Sequence, residues 1–299
     1  MYDIIVVGGG PAGMTAALYA LRNGKRVLIL GKNGFGGQIT YSPKVENFPG
    51  TLSMSGNEFA EHFLDQIIAQ GADVDFDCVT DVICDGKRRT VRTEMGAEYE
   101  AKAVILATGV KHRMLGLEGE TSFVGDGISF CAVCDGDFYK GQTVVVAGGG
   151  NSALQEAILL AGKCEKVIML QDLPSFTGEQ KLQDILFSKD NVEAYTGVKI
   201  LGILKNEQGK FAGVRTNQGD FLTDGLFEAI GLIPENEPFA ELADLNSFGY
   251  FDSGEDCCTK TPGVFVAGDC RSKTVRQLTT AVSDGAAAAI AACRYIDSL

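Results

Sequence analysis

Two stretches of the chain repeat one pattern: a short apolar run, a cluster of glycines, then apolar positions at helical spacing. Tyr2 to Val7 is almost wholly apolar and predicts a buried strand. Gly8 to Gly13 then predicts a tight turn, Met14 to Arg22 a helix with an apolar face, and Arg26 to Leu30 a second strand. The order recurs as a strand at Thr143 to Ala147, a turn at Gly148 to Gly150, a helix at Ala153 to Ala161 and a strand at Lys166 to Leu170. Each is a βαβ unit, so the chain is expected to be α/β, with two Rossmann-like dinucleotide-binding domains. Strands are also expected at Ala103 to Leu106, entering Ala107-Thr108-Gly109, and at Gly263 to Ala267, entering Gly268-Asp269; both would return to the first fold. The expected organisation is therefore a first domain of 1–115 and 240–299, with a second, 116–239, inserted into it.

Composition narrows the class. A chain of 299 residues suits two cores, and no apolar run reaches the roughly 20 residues that a membrane helix needs. The N-terminus enters a strand with no basic or cleavable segment ahead of it, so a secretory signal is not expected and the cytoplasm is the default location. A net charge of -13 argues against nucleic acid, which would be repelled unless a local basic patch prevailed. The nine cysteines are odd in number and scattered, unlike an extracellular disulfide framework. Only Cys131 and Cys134 have C-x-x-C spacing; Cys257 and Cys258 are adjacent, a geometry that rarely closes a relaxed disulfide.

Gly8-Gly9-Gly10-Pro11-Ala12-Gly13 fits G-x-G-x-x-G, in which missing side chains let backbone amides approach a pyrophosphate at a helix N-terminus. The bland alternative is a glycine turn serving helix packing alone. An NAD site would place an acid after the second strand, where this chain has Gly31 and Lys32, so NAD is disfavoured there. The C-x-x-C pair suits a disulfide that takes two electrons and passes them on by thiol exchange. Its alternative is half of a zinc site, but no second cysteine pair has ligand spacing, and His62 and His112 lack motif context, so no metal is expected.

Gly8 to Gly13, Gly36-Gly37-Gln38, Val45 to Gly50, Ala107-Thr108-Gly109, Cys131 to Gly136, and Gly268-Asp269 followed by Arg276-Gln277 together resemble the low-molecular-weight thioredoxin reductases, over nearly the whole chain. The resemblance implies FAD held by Gly8, Gly10, Pro11, Ala12, Gly13, Gly37, Gln38, Asn47, Val79, Thr108, Gly109, Gly268, Asp269, Arg276 and Gln277. It further implies that Cys134 faces the flavin, that Cys131 attacks the disulfide of thioredoxin, and that the protein is a homodimer. Asp135 is then a candidate acid or base managing the thiol proton, or else a helix-start cap without a proton role.

One departure from the family concerns the electron donor. Gly148 to Ala153 is similar to the family's NADPH pyrophosphate site, but the His-Arg-Arg run and later arginine that grip the 2′-phosphate are replaced by Gln171-Asp172-Leu173 and Thr177. NADPH is therefore not expected to bind. NADH remains open if Asp172 reaches the ribose, though the acid falls late and Pro174 constrains the turn. Otherwise electrons come from a protein, and the loss resembles the ferredoxin-dependent flavin thioredoxin reductases. Reduced ferredoxin is the leading expectation, with an NADPH- or NADH-dependent thioredoxin reductase as the alternative. Its docking faces would be Lys87, Arg88, Arg89 and Arg92, or Lys111 and Arg113, unless these are merely solvated. Two further classes are a non-catalytic FAD redox sensor and a flavin ferredoxin:NADP reductase, of which the second lacks a C-x-x-C pair.

Overall fold

The computed structural model describes residues 1–32, 34–42 and 44–299. The chain opens with β1 (Tyr2–Val7), α1 (Pro11–Arg22) and β2 (Val27–Leu30), followed by α2 (Gly56–Ala69) and β3 (Asp73–Asp75). An antiparallel run of β4 (Val79–Asp85), β5 (Arg88–Thr93) and β6 (Glu98–Leu106) comes next. β7 (Val110–His112) leads into a second unit holding β8 (Ile128–Ser129), the short helix α3 (Ala132–Asp135), β9 (Thr143–Ala147) and α4 (Asn151–Ala161). It continues with β10 (Lys166–Gln171), α5 (Gln180–Phe187), β11 (Val192–Thr196), a meander of β12 (Ile200–Lys205), β13 (Phe211–Thr216) and β14 (Gly219–Leu222), and β15 (Gly225–Glu228). β16 (Leu232–Pro234) leads back to β17 (Val264–Val266) and α6 (Leu278–Asp297).

The first unit comprises Met1–Thr40, Phe48–Lys111 and Ile233–Leu299; the second comprises Tyr41–Asn47 and His112–Leu232. These limits differ from the expected 115/116 and 239/240, and they assign residues 41–47 to the second unit. In the first, β3-β2-β1-β6 are parallel, and β6 is shared: its first half pairs antiparallel with β5 and its last three residues pair parallel with β17. In the second, β11-β10-β9-β15-β8 form a wholly parallel sheet. Parallel sheets need both faces covered, which explains why β1 and β9 read as unbroken apolar runs. Ile4 and Val6 point into one core with α1 and α6, while Ile5 and Val7 point into another. Val144 and Val146 are likewise separated from Val145 and Ala147.

Helices α1 and α6 approach closely because small residues line the contact: a Cβ on Gly285 would stand 2.2 Å from the Ala12 carbonyl oxygen. Among the described residues no helix is long and apolar enough to cross a membrane. Both helices following the glycine turns begin earlier than expected, at Pro11 and Asn151 rather than Met14 and Ala153. Pro11 suits that first position because its missing N–H would have had no helical partner.

Candidate active site

The first glycine turn is shaped by contacts that exclude side chains. Gly8 has φ +115°, and a Cβ there would lie 2.1 Å from the Ala107 carbonyl oxygen; one on Gly13 would lie 1.9 Å from that of Gly8. These contacts seat the turn against the end of β6 and bring Thr108 and Gly109 beside it. Gly10, the N-cap of α1, has nothing within 4 Å of its Cβ direction, so the turn is open where a helix N-terminus attracts anions. Gly37, at φ +60°, lies next to Gly10, and Gln38 follows in a short 3-10 helix.

Asp269 follows β17. Its Oδ1 is buried and accepts no hydrogen bond among the described residues, the Lys273 ammonium standing 3.8 Å away, and burial raises its pKa, with Lys273 and Arg276 opposing the rise. The Arg276 guanidinium donates to the carbonyls of Asp269, Lys273 and Arg271 and lies 4.1 Å over the Tyr250 ring. Gln277 is the N-cap of α6. An open helix N-terminus and a buried carboxylate oxygen that accepts no hydrogen bond fit a bound dinucleotide with hydroxyl groups to donate. Gly8 through Gly13, Thr108, Gly109 and Asp269 would hold it. Val79 opens β4 with its side chain in the core, leaving only its backbone to meet a ligand. Asn47 belongs to the second unit.

Sequence reasoning missed Asn236, a fully buried amide that donates to the carbonyls of Gly249 and Cys270 and accepts from the Thr108 hydroxyl at 2.8 Å. It fixes the strand ends around the first turn.

In the second unit, Cys131 and Cys134 are joined by a disulfide, with Cα atoms 5.3 Å apart. This uses the two sulfurs that a zinc site would have required. Cys131 is the N-cap of α3, and its Sγ accepts from the Cys134 N–H at 3.1 Å. Both cysteines are half-buried, and Val133 between them is 55% exposed, so the pair lies at the surface of its unit. Asp135 is buried; its Oδ2 accepts from the Ser129 hydroxyl at 2.6 Å, and the same Ser129 oxygen accepts from the Cys131 N–H at 3.1 Å. Burial raises the Asp135 pKa, with Ser129 opposing the rise, and Oδ1 has no partner among the described residues. The helix-cap reading fails, because the carboxyl turns to Ser129 rather than to a helix N–H.

The second glycine turn is packed much like the first, where a Cβ on Gly9 would lie 2.8 Å from the Phe35 ring and the Gly9 carbonyl accepts from the Gly36 N–H. A Cβ on Gly149 would lie 2.4 Å from the Gln171 side-chain nitrogen, and Gly149 accepts through its carbonyl from the N–H groups of Thr177 and Gly178. Gln171 is buried at the end of β10, where a ribose-binding acid would stand; Asp172 is exposed beyond it. The basic clusters are also spent internally. Arg89 is buried and bonds backbone carbonyls and the Tyr295 hydroxyl, Arg88 pairs with Glu100, Arg92 with Glu98, Lys111 with Glu235, and Lys87 donates to Leu299. Of the expected docking charges Arg89 alone is buried; Lys87, Arg88, Arg92, Lys111 and Arg113 are exposed, the first four with the partners just named. His112 is stacked on Phe130 at 4.5 Å, and burial lowers its pKa to about 4, so it is neutral at physiological pH.

Comparison with known proteins agrees with this geometry. Residues 2–285 match the family model described as pyridine nucleotide-disulphide oxidoreductase. A thioredoxin reductase of Bacillus subtilis is 36% identical over 305 residues, covering 100% of this chain and 96% of the relative. A 34.2 kDa protein in the rubredoxin operon of Clostridium pasteurianum is 38% identical, covering 98% and 97% of the two chains. The crystal structure of thioredoxin reductase from Streptococcus pyogenes superposes with a TM-score of 0.93 at 36% identity, covering 100% and 99%. Fold, paired cysteines and these full-length likenesses agree: the chain belongs to the pyridine nucleotide-disulphide oxidoreductases, within the low-molecular-weight thioredoxin reductase family.

Proposed function

We propose that the protein is a flavin-dependent reductase of the thioredoxin disulfide, with Cys131 and Cys134 as its redox pair. The observation that carries this is the surface disulfide on α3, backed by a buried carboxyl, Asp135, that is held in place by Ser129. FAD at the first glycine turn would supply the electron pair that opens the disulfide. Once the bond is open, the Cys134 N–H, which already reaches the Cys131 sulfur, favours a thiolate there, while Asp135 is placed to hold or give the proton of the departing sulfur. The Cys131 thiolate then attacks the client disulfide to form a mixed disulfide. Cys134 attacks Cys131 in turn, restoring the protein disulfide and releasing thioredoxin as a dithiol.

The donor separates two readings. Support for a reduced pyridine nucleotide comes from the matching family model and the thioredoxin reductases among the relatives, together with the second glycine turn at the start of α4. A second reading, reduced ferredoxin, is favoured by the stretch from Gln171 to Gly178, which has no guanidinium to hold a 2′-phosphate. Against it stands the internal pairing of the basic clusters.

The activity is tested by reducing the FAD-loaded protein anaerobically with light and mixing it with oxidised thioredoxin. Up to two dithiol thioredoxins per flavin are expected, one electron pair from the opened cysteine pair and one from the flavin; no new thiols would overturn the reading. Stopped-flow mixing with NADPH, NADH or reduced ferredoxin then identifies which of them bleaches the flavin fastest.

A further inference from the structure

Beside the redox pair lies a second carboxyl that the steps above leave unused. Glu156 sits on α4 among Ala153, Leu154, Ala157 and Leu160, all fully buried. Helix α3 packs on α4 at this point, and Gly136 permits the approach, since a Cβ there would already stand 3.2 Å from Leu160. Although Glu156 as a residue is half-buried, its Oε2 is sealed from solvent with no partner among the described residues. Its carboxyl faces the backbone N–H of Ala132, the residue following Cys131, and lies close enough to Asp135 for their charges to oppose each other. Asp135 also has a sealed, unpartnered oxygen, Oδ1.

A buried carboxylate oxygen without a donor is costly, whereas a carboxylic acid in the same place is much less so. Two such oxygens, on carboxyls near enough to feel each other's charge behind one disulfide, make it costly for both to be ionised at once. Burial raises the Glu156 pKa to about 8; the Ala132 N–H opposes the rise and Asp135 adds to it. The other ionisable neighbours leave this arrangement intact. Burial and Asp135 push Tyr139 up to about 12, so it is neutral, and the Lys163 ammonium is paired with Asp137 at 3.0 Å.

We propose that Glu156 is a positioning residue of the redox site: its carboxyl steadies the first turn of α3 at Ala132 and holds the proton that replenishes Asp135 when the Cys131–Cys134 bond is reduced. The proposal rests on the disulfide-reductase reading. With dithiothreitol as reductant, the S–S bond breaks, the dithiol closes to a cyclic disulfide and releases two protons, and the protein gains two electrons and two protons as two thiols. One of those protons reaches sulfur from Asp135, which regains it from Glu156, which takes one back from solvent.

Glu156→Gln keeps an acceptor for Ala132 but removes the acid. The rate of disulfide reduction by dithiothreitol, expressed per thiolate of the reagent, is expected to fall in the wild type as pH rises through about 8. In Glu156→Gln it should be about tenfold lower near pH 7 and flat across that range. Infrared difference spectra of the oxidised and reduced wild type should also contain a protonated-carboxyl band that changes on reduction and loses intensity in Glu156→Gln. A variant with the wild-type rate and profile would overturn the proposal, and so would a wild type lacking that band, whatever the variant's folding. Failure of the wild-type disulfide to be reduced, or to pass electrons to thioredoxin, would instead defeat the reductase reading itself.

Discussion

The two glycine turns are built on the same strand, turn and helix and are packed alike, while the groups at the neighbouring strand ends differ. Gly10 and Gly150 are the N-caps of their helices with nearly the same backbone, φ -79° and -84°. Around Gly10 the space is open, and a buried Asp269 oxygen elsewhere in the same unit accepts no hydrogen bond among the described residues. Gly150 is nearly as open, and the residue before each N-cap is covered in both turns: Phe35 lies against Gly9 and Gly36 donates to its carbonyl, while Gln171 lies against Gly149 and Thr177 and Gly178 donate to its carbonyl. The second unit groups three acids, Asp135, Glu156 and Glu228, whose pKa values burial raises, where the first has Asp269 beside Lys273 and Arg276. The turn alone therefore does not define a ligand; the groups at the neighbouring strand ends do. On this reading the first unit is shaped to hold a cofactor and the second to manage protons and electrons.

The largest expected effect divides the two units most cleanly. Cys131→Ser should abolish thioredoxin reduction while leaving FAD bound, measured by thiol release and flavin absorbance; retained turnover would mean another electron exit, and unchanged redox signalling without turnover would favour a sensor. Asp135→Asn should slow turnover by about 10²-fold with FAD still bound, since general acid or base assistance is worth at least that much. Gly10→Ala adds a methyl group where the protein has room but a ligand would not. We expect FAD affinity to drop by about 10 to 100-fold with little change in the apoprotein Tm. The matched variant Gly150→Ala should leave FAD affinity unchanged, and any effect on reduction by NADPH or NADH would reveal use of the second turn.

The double variant Asp172→Arg and Thr177→Arg supplies the missing guanidinium groups. It should raise NADPH affinity by about tenfold while leaving NADH affinity nearly unchanged, as measured by titration. The smallest expected effect is on stability. Burial raises Glu228 from 4.5 to about 9, with the facing Glu120 carboxylate adding to the rise. The folded protein thus keeps a proton that the unfolded chain has lost between those values, and stability falls as pH rises through that window. Glu228→Gln removes this slope and should raise Tm by about 3–6 °C near pH 8, with no gain near pH 4.

Much of the fold was legible because parallel strands buried on both faces leave continuous apolar runs. The expected strand Thr143 to Ala147 coincides with β9, and Lys166 to Leu170 is extended by only Gln171 in β10. What escaped depends on partners distant in sequence. Arg88 and Arg92 read as a basic run, but the antiparallel pairing of β5 with β6 brings Glu100 and Glu98 to them. Arg89 looked like a surface charge and is instead capped by carbonyls beneath α6. Glu156 left a fainter signal, an acid three residues after Ala153 on the apolar face of a helix, whose meaning emerges only when α3 packs against it. Asn236 left none, because its burial is created by the return of the chain to the first unit.

Where the electrons rest after flavin reduction tests the redox pair most directly. The FAD-loaded protein would be photoreduced without oxygen, quenched with an alkylating reagent and mapped by mass spectrometry, with a parallel sample mixed with oxidised thioredoxin. We predict that Cys131 and Cys134 become alkylated only after reduction and that thioredoxin restores the yellow colour. A flavin that stays reduced beside an intact Cys131–Cys134 disulfide would contradict it.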